Sequence, residues 1–333
     1  MKRVAVIGAG CWGTALGIIA ARRGHEVRLW SRNVEVVESV NGQHVNAVYL
    51  PDSHIPARVR ATGKIEEALE LAEFVILAAP SHATRAVLTS VLPVVDPGMI
   101  FVSATKGIEI DTGKRISQIV AEVIGEKFSP RFVCLSGPSF AKEVVEKHPT
   151  AVVAASASVA LSRSVQAELS SENLRIYTND DVVGTELGGS VKNVMAIAAG
   201  MVAGLGFGSN SIAALITRGL AEMTRIALKE GAKLETLMGL AGLGDLVLTC
   251  TGNLSRNRFV GQELGKGRSL EEITSGMKEV AEGVKTTQAL KRLATRLGVE
   301  MPITSEVHAV LYERKSAQDA AAHLMTRPLR EEF

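Results

Sequence analysis

Over roughly the first 180 residues the apolar positions fall in short, β-branched runs, each followed by a glycine or polar turn and a stretch of helical spacing. Val4 to Ile7 is the first run. Behind it, Thr14 to Arg22 carries Leu16, Ile19 and Ala20 on one helical face, Gly24 is placed to end that helix, and Glu26 to Trp30 reads as a second strand. Residues 34–72 read as a polar passage from Asn41 to Pro56, with Asn46 to Pro51 as a loop, before a helix near Ile65 to Leu71. Strands are predicted at Phe74–Ala79, Ile100–Ala104, Phe132–Leu135 and Ala151–Ala155, with Arg175–Thr178 beside the last. Helices are predicted at Ala83–Leu92 and on the face made by Ile116, Ile119, Val120 and Val123. Such alternation predicts an α/β fold, a Rossmann-like, doubly wound, mostly parallel sheet.

After Asp181 the pattern changes to alanine, leucine and methionine at helical spacing. Helices are expected at 182–204, 212–231, 234–240, 256–264, 269–275, 286–297, 303–312 and 316–325, so the C-terminal domain is all-α. The expected division is 1–185 and 186–333.

Composition narrows the partners. Hydrophobic residues make up 46%, charged residues 22% and the net charge is +2, which gives no reason to expect a nucleic-acid or membrane surface. At 4% aromatic, the chain lacks the stacking platforms that bind single strands. Cys11, Cys134 and Cys250 are too scattered for a disulfide framework or a metal site and read as reduced cytoplasmic thiols. Because Met1 leads directly into a predicted strand, no signal peptide is expected, and no apolar stretch is expected to span a membrane, which takes about 18 uninterrupted residues. The apolar helical half offers a face for a homodimer, and buried core accounts for the same residues equally well.

The first strand, turn and helix carry the strongest chemical signal. Gly8, Gly10 and Gly13 form a G-x-G-x-x-G between strand and helix, the context a dinucleotide fingerprint requires. Gly8 allows the tight turn, Gly10 the close approach of a pyrophosphate, and Gly13 the packing of helix on strand, while free amides at the helix start meet the phosphate charge. The second strand ends Leu29-Trp30-Ser31-Arg32-Asn33 without a carboxylate for a ribose 2′-hydroxyl. Arg32 suits a 2′-phosphate, with Ser31 or Asn33 beside it, so NADP(H) is preferred and NAD(H) is the alternative. Cys11 sits where a helix start lowers a thiol pKa, or simply where a small residue is needed.

Three polar clusters interrupt the helical half. Lys192, inside an apolar helix, is either a buried proton donor or a side chain that reaches the surface. Asp245, in Ala241-Gly242-Leu243-Gly244-Asp245-Leu246, either orients a lysine or substrate hydroxyl or caps a helix. Thr249 to Arg258 reads as a polar turn entering a helix, with Ser255 as cap. Arg256 there is either a fork for phosphate or carboxylate or a solvated charge.

Read together, GAGCWGTAL, ATKGIE, SGPSFAKE, ELGGSVKNVMAIAAG, ALITRGLAEM, GLAGLGDLVLTCT, SRNR and EMPIT, in this order between residues 8 and 304, resemble bacterial NAD(P)-dependent glycerol-3-phosphate dehydrogenase. The resemblance implies reversible hydride transfer between NAD(P)H and dihydroxyacetone phosphate, giving sn-glycerol 3-phosphate for phospholipid synthesis, without a metal. It implies Lys192 as the catalytic lysine supported by Asp245. Lys106, Gly137 and Ser139 would join them at the substrate, and Ser255, Arg256 and Asn257 would hold its phosphate. Cys11, Trp12, Arg32, Asn33, Lys106, Ala141, Arg256, Val280 and Glu282 would line the cofactor with the three glycines. Cys11 departs from the hydroxyl or small residue expected there. A related two-domain dehydrogenase for another hydroxy acid or ketoacid is the alternative enzyme, and a nucleotide-sensing regulator is the alternative of another class.

Overall fold

A computed structural model describes residues 1–277, 281–329 and 331–332 and divides the chain into two compact units. The first is Met1–Glu109 with Lys114–Glu186; the second is Ile110–Gly113 with Leu187–Phe333.

The first unit contains β1 (Arg3–Ile7), α1 (Cys11–Arg22), β2 (Glu26–Trp30), α2 (Val34–Gln43), β3 (Val45–Asn46), β4 (Leu50–His54) and β5 (Val59–Thr62). It continues with α3 (Ile65–Leu69), β6 (Phe74–Leu77), α4 (Thr84–Val91), β7 (Ile100–Ser103), α5 (Ile116–Val123) and β8 (Arg131–Ser136). It closes with α6 (Ala141–Val145), β9 (Thr150–Ala155), α7 (Val159–Leu169) and β10 (Leu174–Asn179). One sheet has the order β10-β9-β8-β7-β6-β1-β2-β5, parallel throughout except where β8 meets β9. Successive strand residues face opposite ways. Val4, Val6, Phe74 and Ile76 enter one core, and Ala5, Ile7, Val75 and Leu77 enter another. A sheet buried on both faces therefore reads as a continuous apolar run rather than an alternating one.

Between β1 and β6 the strand order reverses, the place where open α/β sheets bind ligands. Side-chain amides occupy part of each border of the sheet. Asn41 Nδ2 donates to the Ala61 carbonyl and Asn41 Oδ1 accepts from the Ala61 N–H, both at 2.9 Å, on the β5 border. On the β10 border Gln166 Nε2 donates to the Ile176 carbonyl at 2.7 Å, while Ser171 takes both outward groups of Leu174.

Several expectations change here. Residues 34–43 are a helix whose start is capped by Asn33, and the expected loop at 46–51 belongs to the antiparallel β3–β4 hairpin. β5, α6 and α7 are additional. β5 (Val-Arg-Ala-Thr) is half polar because it is a border strand, and the apolar spacing of α7 is interrupted by polar residues, one of which, Ser162, is itself buried.

The second unit is helical. It contains α8 (Val182–Gly204, entered from the first unit), α9 (Ser209–Lys229), α10 (Leu234–Met238), a π-turn at Leu240–Gly244 and α11 (Asp245–Thr251). Then follow α12 (Arg256–Gly265), α13 (Leu270–Ser275), α14 (Glu282–Leu297), α15 (Pro302–Tyr312) and α16 (Ala317–Met325). Thr249 to Thr251, expected in a turn, close α11 instead; Thr249 and Thr251 bond back to the carbonyls four residues earlier. By length and composition alone α8 would reach across a membrane, but 83% of its apolar window is buried inside the protein, as in a core helix. Glu222 of α9, 1% exposed, accepts from the Ile303 N–H at 2.5 Å, the Thr304 N–H at 3.2 Å and the Thr304 hydroxyl at 3.1 Å. It thereby satisfies the amides at the start of α15 and joins two of the sequence stretches noted above.

Candidate active site

In the second unit three helical positions converge on one amine. Lys192 Nζ donates to Asp245 Oδ1 at 2.8 Å and to Thr249 Oγ1 at 2.6 Å. Lys192 is 6% exposed, Asp245 1% and Thr249 3%, so the amine does not reach the surface and Asp245 is not an N-cap. The Thr249 hydroxyl gives its own proton to the Asp245 carbonyl at 2.7 Å, which turns its lone pairs toward the ammonium. Thr249 was not among the expected site residues. Its signal was the D-x-x-x-T spacing, which places both side chains on one helix face.

Glycines make the convergence feasible. A Cβ at Gly188 would lie 2.4 Å from the Ala241 carbonyl, and one at Gly242 would lie 2.1 Å from that of Leu237. The π-turn thus tucks against α8 and delivers Asp245 beside Lys192; π-turns recur at functional sites for this kind of re-aiming. Cys250, next in chain to Thr249, is 1% exposed, and burial pushes its thiol up to about 12.

The start of α12 is a second cluster. Ser255 caps it by accepting from the Arg258 N–H at 3.2 Å, as its sequence position predicts. Arg256 is exposed on the first turn. Asn257, 8% exposed, donates through Nδ2 to Asn193 Oδ1 at 3.0 Å and accepts through Oδ1 from the Gly283 N–H at 2.9 Å. Its amide therefore ties α8, α12 and the start of α14 together. Glu282 begins α14, and Val280 lies outside the described residues.

In the first unit Lys106 Nζ and Ser139 Oγ donate to the Gly137 carbonyl at 3.0 and 3.1 Å, which brings Lys106, Gly137 and Ser139 together. Gly137 has φ +135°, a region closed to most other residues. Ala141 opens α6 nearby in the chain.

The glycine turn has the close-packed backbone that a dinucleotide fingerprint calls for. Gly8 has φ +115°, and a Cβ there would meet the backbone of Ala78 and Ala79 within 3 Å. One at Gly13 would lie 1.9 Å from the Gly8 carbonyl. Gly10, the N-cap of α1, adopts an ordinary extended conformation (φ −67°), so its lack of a side chain is not a backbone requirement. No side chain caps α1 and no acid stands in its first turn, which leaves its amides suited to an anion. Trp12 Nε1 is buried without a hydrogen-bond partner. Cys11 Sγ donates to the Tyr49 carbonyl at 2.8 Å, linking the turn to the β3–β4 hairpin. At the end of β2, Asn33 uses its side-chain oxygen to cap α2 and its N–H to reach Ser31 Oγ, while Arg32 is exposed. These features fit a pyrophosphate-bearing cofactor.

Residues 3–162 match the model of the NAD-dependent glycerol-3-phosphate dehydrogenase N-terminus, and residues 181–322 match that of its C-terminus. The chain is 56% identical over 330 residues to a glycerol-3-phosphate dehydrogenase [NAD(P)+] of Koribacter versatilis, covering 98% of each. It is 50% identical over 331 residues to the protein of that name from Geobacter sulfurreducens, covering 99% of each. A crystal structure of glycerol-3-phosphate dehydrogenase from Coxiella burnetii superposes with a TM-score of 0.93 at 40% identity, covering 98% of this chain and 99% of that one.

Proposed function

The chain belongs to the NAD-dependent glycerol-3-phosphate dehydrogenase family, and within it we propose that Lys192 protonates the substrate's C2 oxygen while Arg256 grips its phosphate. The protein is an NAD(P)-dependent oxidoreductase acting on a CH–OH group, reversibly converting dihydroxyacetone phosphate to sn-glycerol 3-phosphate. When bound, the nicotinamide supplies or accepts the hydride at C2. The observation that carries the reading is the buried Lys192–Asp245–Thr249 arrangement on the second unit.

The physical argument starts from the burial of the amine. A buried ammonium is tolerable only beside an opposite charge, and Asp245 supplies it at 2.8 Å. Held by Asp245 and Thr249, Lys192 donates a proton to the C2 oxygen in the reducing direction and takes it back in the other. A positioned acid of this kind contributes about 10²–10⁴-fold. Its charge also stabilises the oxyanion that develops at C2. Arg256 and the amides at the start of α12, which Ser255 caps, hold the phosphate. Binding energy gained at that remote end fixes the reacting carbon. Asn257 acts here by aligning three helices, while Lys106, Gly137 and Ser139 bring a further cation to the anionic substrate.

Gly8, Gly10 and Gly13 with the α1 amides would hold the pyrophosphate, and Trp12 offers its indole N–H. Cys11, Asn33, Ala141, Lys106, Arg256 and Glu282 complete the proposed cofactor contacts, with Val280 assigned to the same set. Arg32, exposed at the tip of β2 with no carboxylate beside it in sequence, favours NADP(H), with NAD(H) also accepted. We place the enzyme in the cytoplasm and propose a homodimer through the helical unit, where Ile212, Leu215 and Ile216 of α9 stay partly exposed. A monomer mass by sedimentation would reject that assembly.

NADPH oxidation followed at 340 nm against dihydroxyacetone phosphate, ketopantoate and short 2-ketoacids tests the activity. Turnover is expected with the phosphorylated ketone. Turnover of a ketoacid alone, or cofactor binding with no turnover of any of them, would overturn the assignment.

A further inference from the structure

We propose that the glycine contacts between α8 and α12 set the span between the Lys192 amine and the Arg256 guanidinium, which makes Gly261 a positioning residue for the reaction. This rests on the roles given to Lys192 and Arg256 above.

The two helices touch backbone to backbone. A Cβ at Gly261 would lie 1.9 Å from the Ile197 carbonyl, and one at Gly265 would lie 2.5 Å from that of Met201. The contacts are reciprocal, because a Cβ at Gly200 would lie 2.0 Å from the Arg258 carbonyl and one at Gly204 would lie 2.2 Å from that of Gln262. Side chains normally hold helix axes about 8–10 Å apart. Here the Cα–H groups of one helix face the carbonyls of the other, an approach only glycine permits.

The contacts also fix a register. Ile197 meets Gly261 and Met201 meets Gly265, so both helices advance by one turn in the same direction. Asn193 and Asn257, joined by their amides at 3.0 Å, continue the same offset of 64 positions one turn earlier. One residue before them, at the same offset, stand Lys192 and Arg256. The glycine register thus brings the proton donor and the phosphate clamp to one level of a paired-helix frame. A frame without side chains between its members has nothing soft to absorb a change in spacing. One methyl group at Gly261 forces the backbones apart by about an ångström, a displacement that in an active site costs about 10²-fold.

The experiment compares Gly261→Ala with wild type on dihydroxyacetone phosphate and on dihydroxyacetone, which offers the same carbonyl without the phosphate. The expected result is a loss of about tenfold or more in the ratio of the two kcat/KM values. Turnover of dihydroxyacetone should stay near wild type. Equal losses on both substrates, or no loss on either, would overturn the proposal. Should thermal denaturation show Gly261→Ala unfolded, Gly265→Ala is read in the same way; its overlap is milder and one turn further from Lys192. Arg256→Ala, assayed in parallel, separates the two levels. If it keeps the full phosphate advantage, the role of Arg256 falls and this proposal with it. If it loses the advantage while both glycine variants keep it, only the spacing argument falls.

Discussion

Thr249 receives the Lys192 ammonium at 2.6 Å while its own proton is committed to the carbonyl of Asp245, one turn back on the same helix. The hydroxyl therefore acts on the lysine as a pure acceptor. Thr249→Val keeps the shape and removes the acceptor. Hydrogen bonds to charged groups are worth about 1.5–3 kcal/mol, so kcat should fall roughly 10- to 100-fold with little change in KM. Thr249→Ser should restore most of it. A KM effect without a kcat effect would place Thr249 in binding instead.

Lys192→Ala should lower kcat by about 10²–10⁴-fold. It also leaves Asp245 as a buried carboxylate without its ion-pair partner, so stability should drop by about 3–5 kcal/mol in urea titrations. NADPH binding, followed by fluorescence, should change little. Wild-type turnover would remove Lys192 from the chemistry.

Arg256→Ala should cut kcat/KM for dihydroxyacetone phosphate by about 30-fold or more, through KM and kcat together, from roughly 2 kcal/mol of lost charge-assisted binding. Added guanidinium should recover part of the loss. An unchanged KM would move the phosphate elsewhere.

The thiols should differ sharply. Burial pushes Cys134 well above its usual range and Cys250 up to about 12. Native enzyme at pH 8 should therefore take up about one equivalent of a disulfide reagent, at half-buried Cys11, because the thiolate is the reactive form. NADPH should slow the reaction. Rapid labelling of Cys250 in folded protein would contradict its place beside α8.

Glu222 gives a pH signature. Burial raises its carboxyl above the ordinary 4.5 even though it accepts hydrogen bonds from Ile303 and Thr304. The unfolded chain then loses this proton before the folded one, so folding stability declines as pH rises from about 4.5 through the raised folded value. Glu222→Gln lacks this titration. The stability difference between wild type and variant should therefore shrink as pH rises through that window, measured by denaturant melts at several pH values. A difference that grows with pH would mean that the carboxylate form is the favoured one.

The sequence made some of these features easy to find and hid others. The strand–glycine–helix–strand opening is legible because each step is local: β-branched residues, a turn that needs φ +115° at Gly8, then helical spacing. The long helices of the second unit are legible for the same reason. The Lys192–Asp245 pair joins positions 53 apart, and no local pattern reports it; only the cost of burying either charge alone hinted that each needed a partner. Asn257 looked like a ligand residue, and its ties to Asn193 and Gly283 emerge only once three helices are assembled. The α2 helix was hidden by its polar outer face, and β5 by being a border strand with a charged residue at its centre.

Asn41 and Gln166 have a consequence for the life of the chain outside catalysis. An open sheet with vacant outer amides invites another polypeptide to dock as one more strand, the first step of many insoluble deposits. Here carboxamides mimic that missing neighbour at Ala61 and Ile176, so a newly made molecule among many identical ones finds fewer vacant backbone groups to join at either rim.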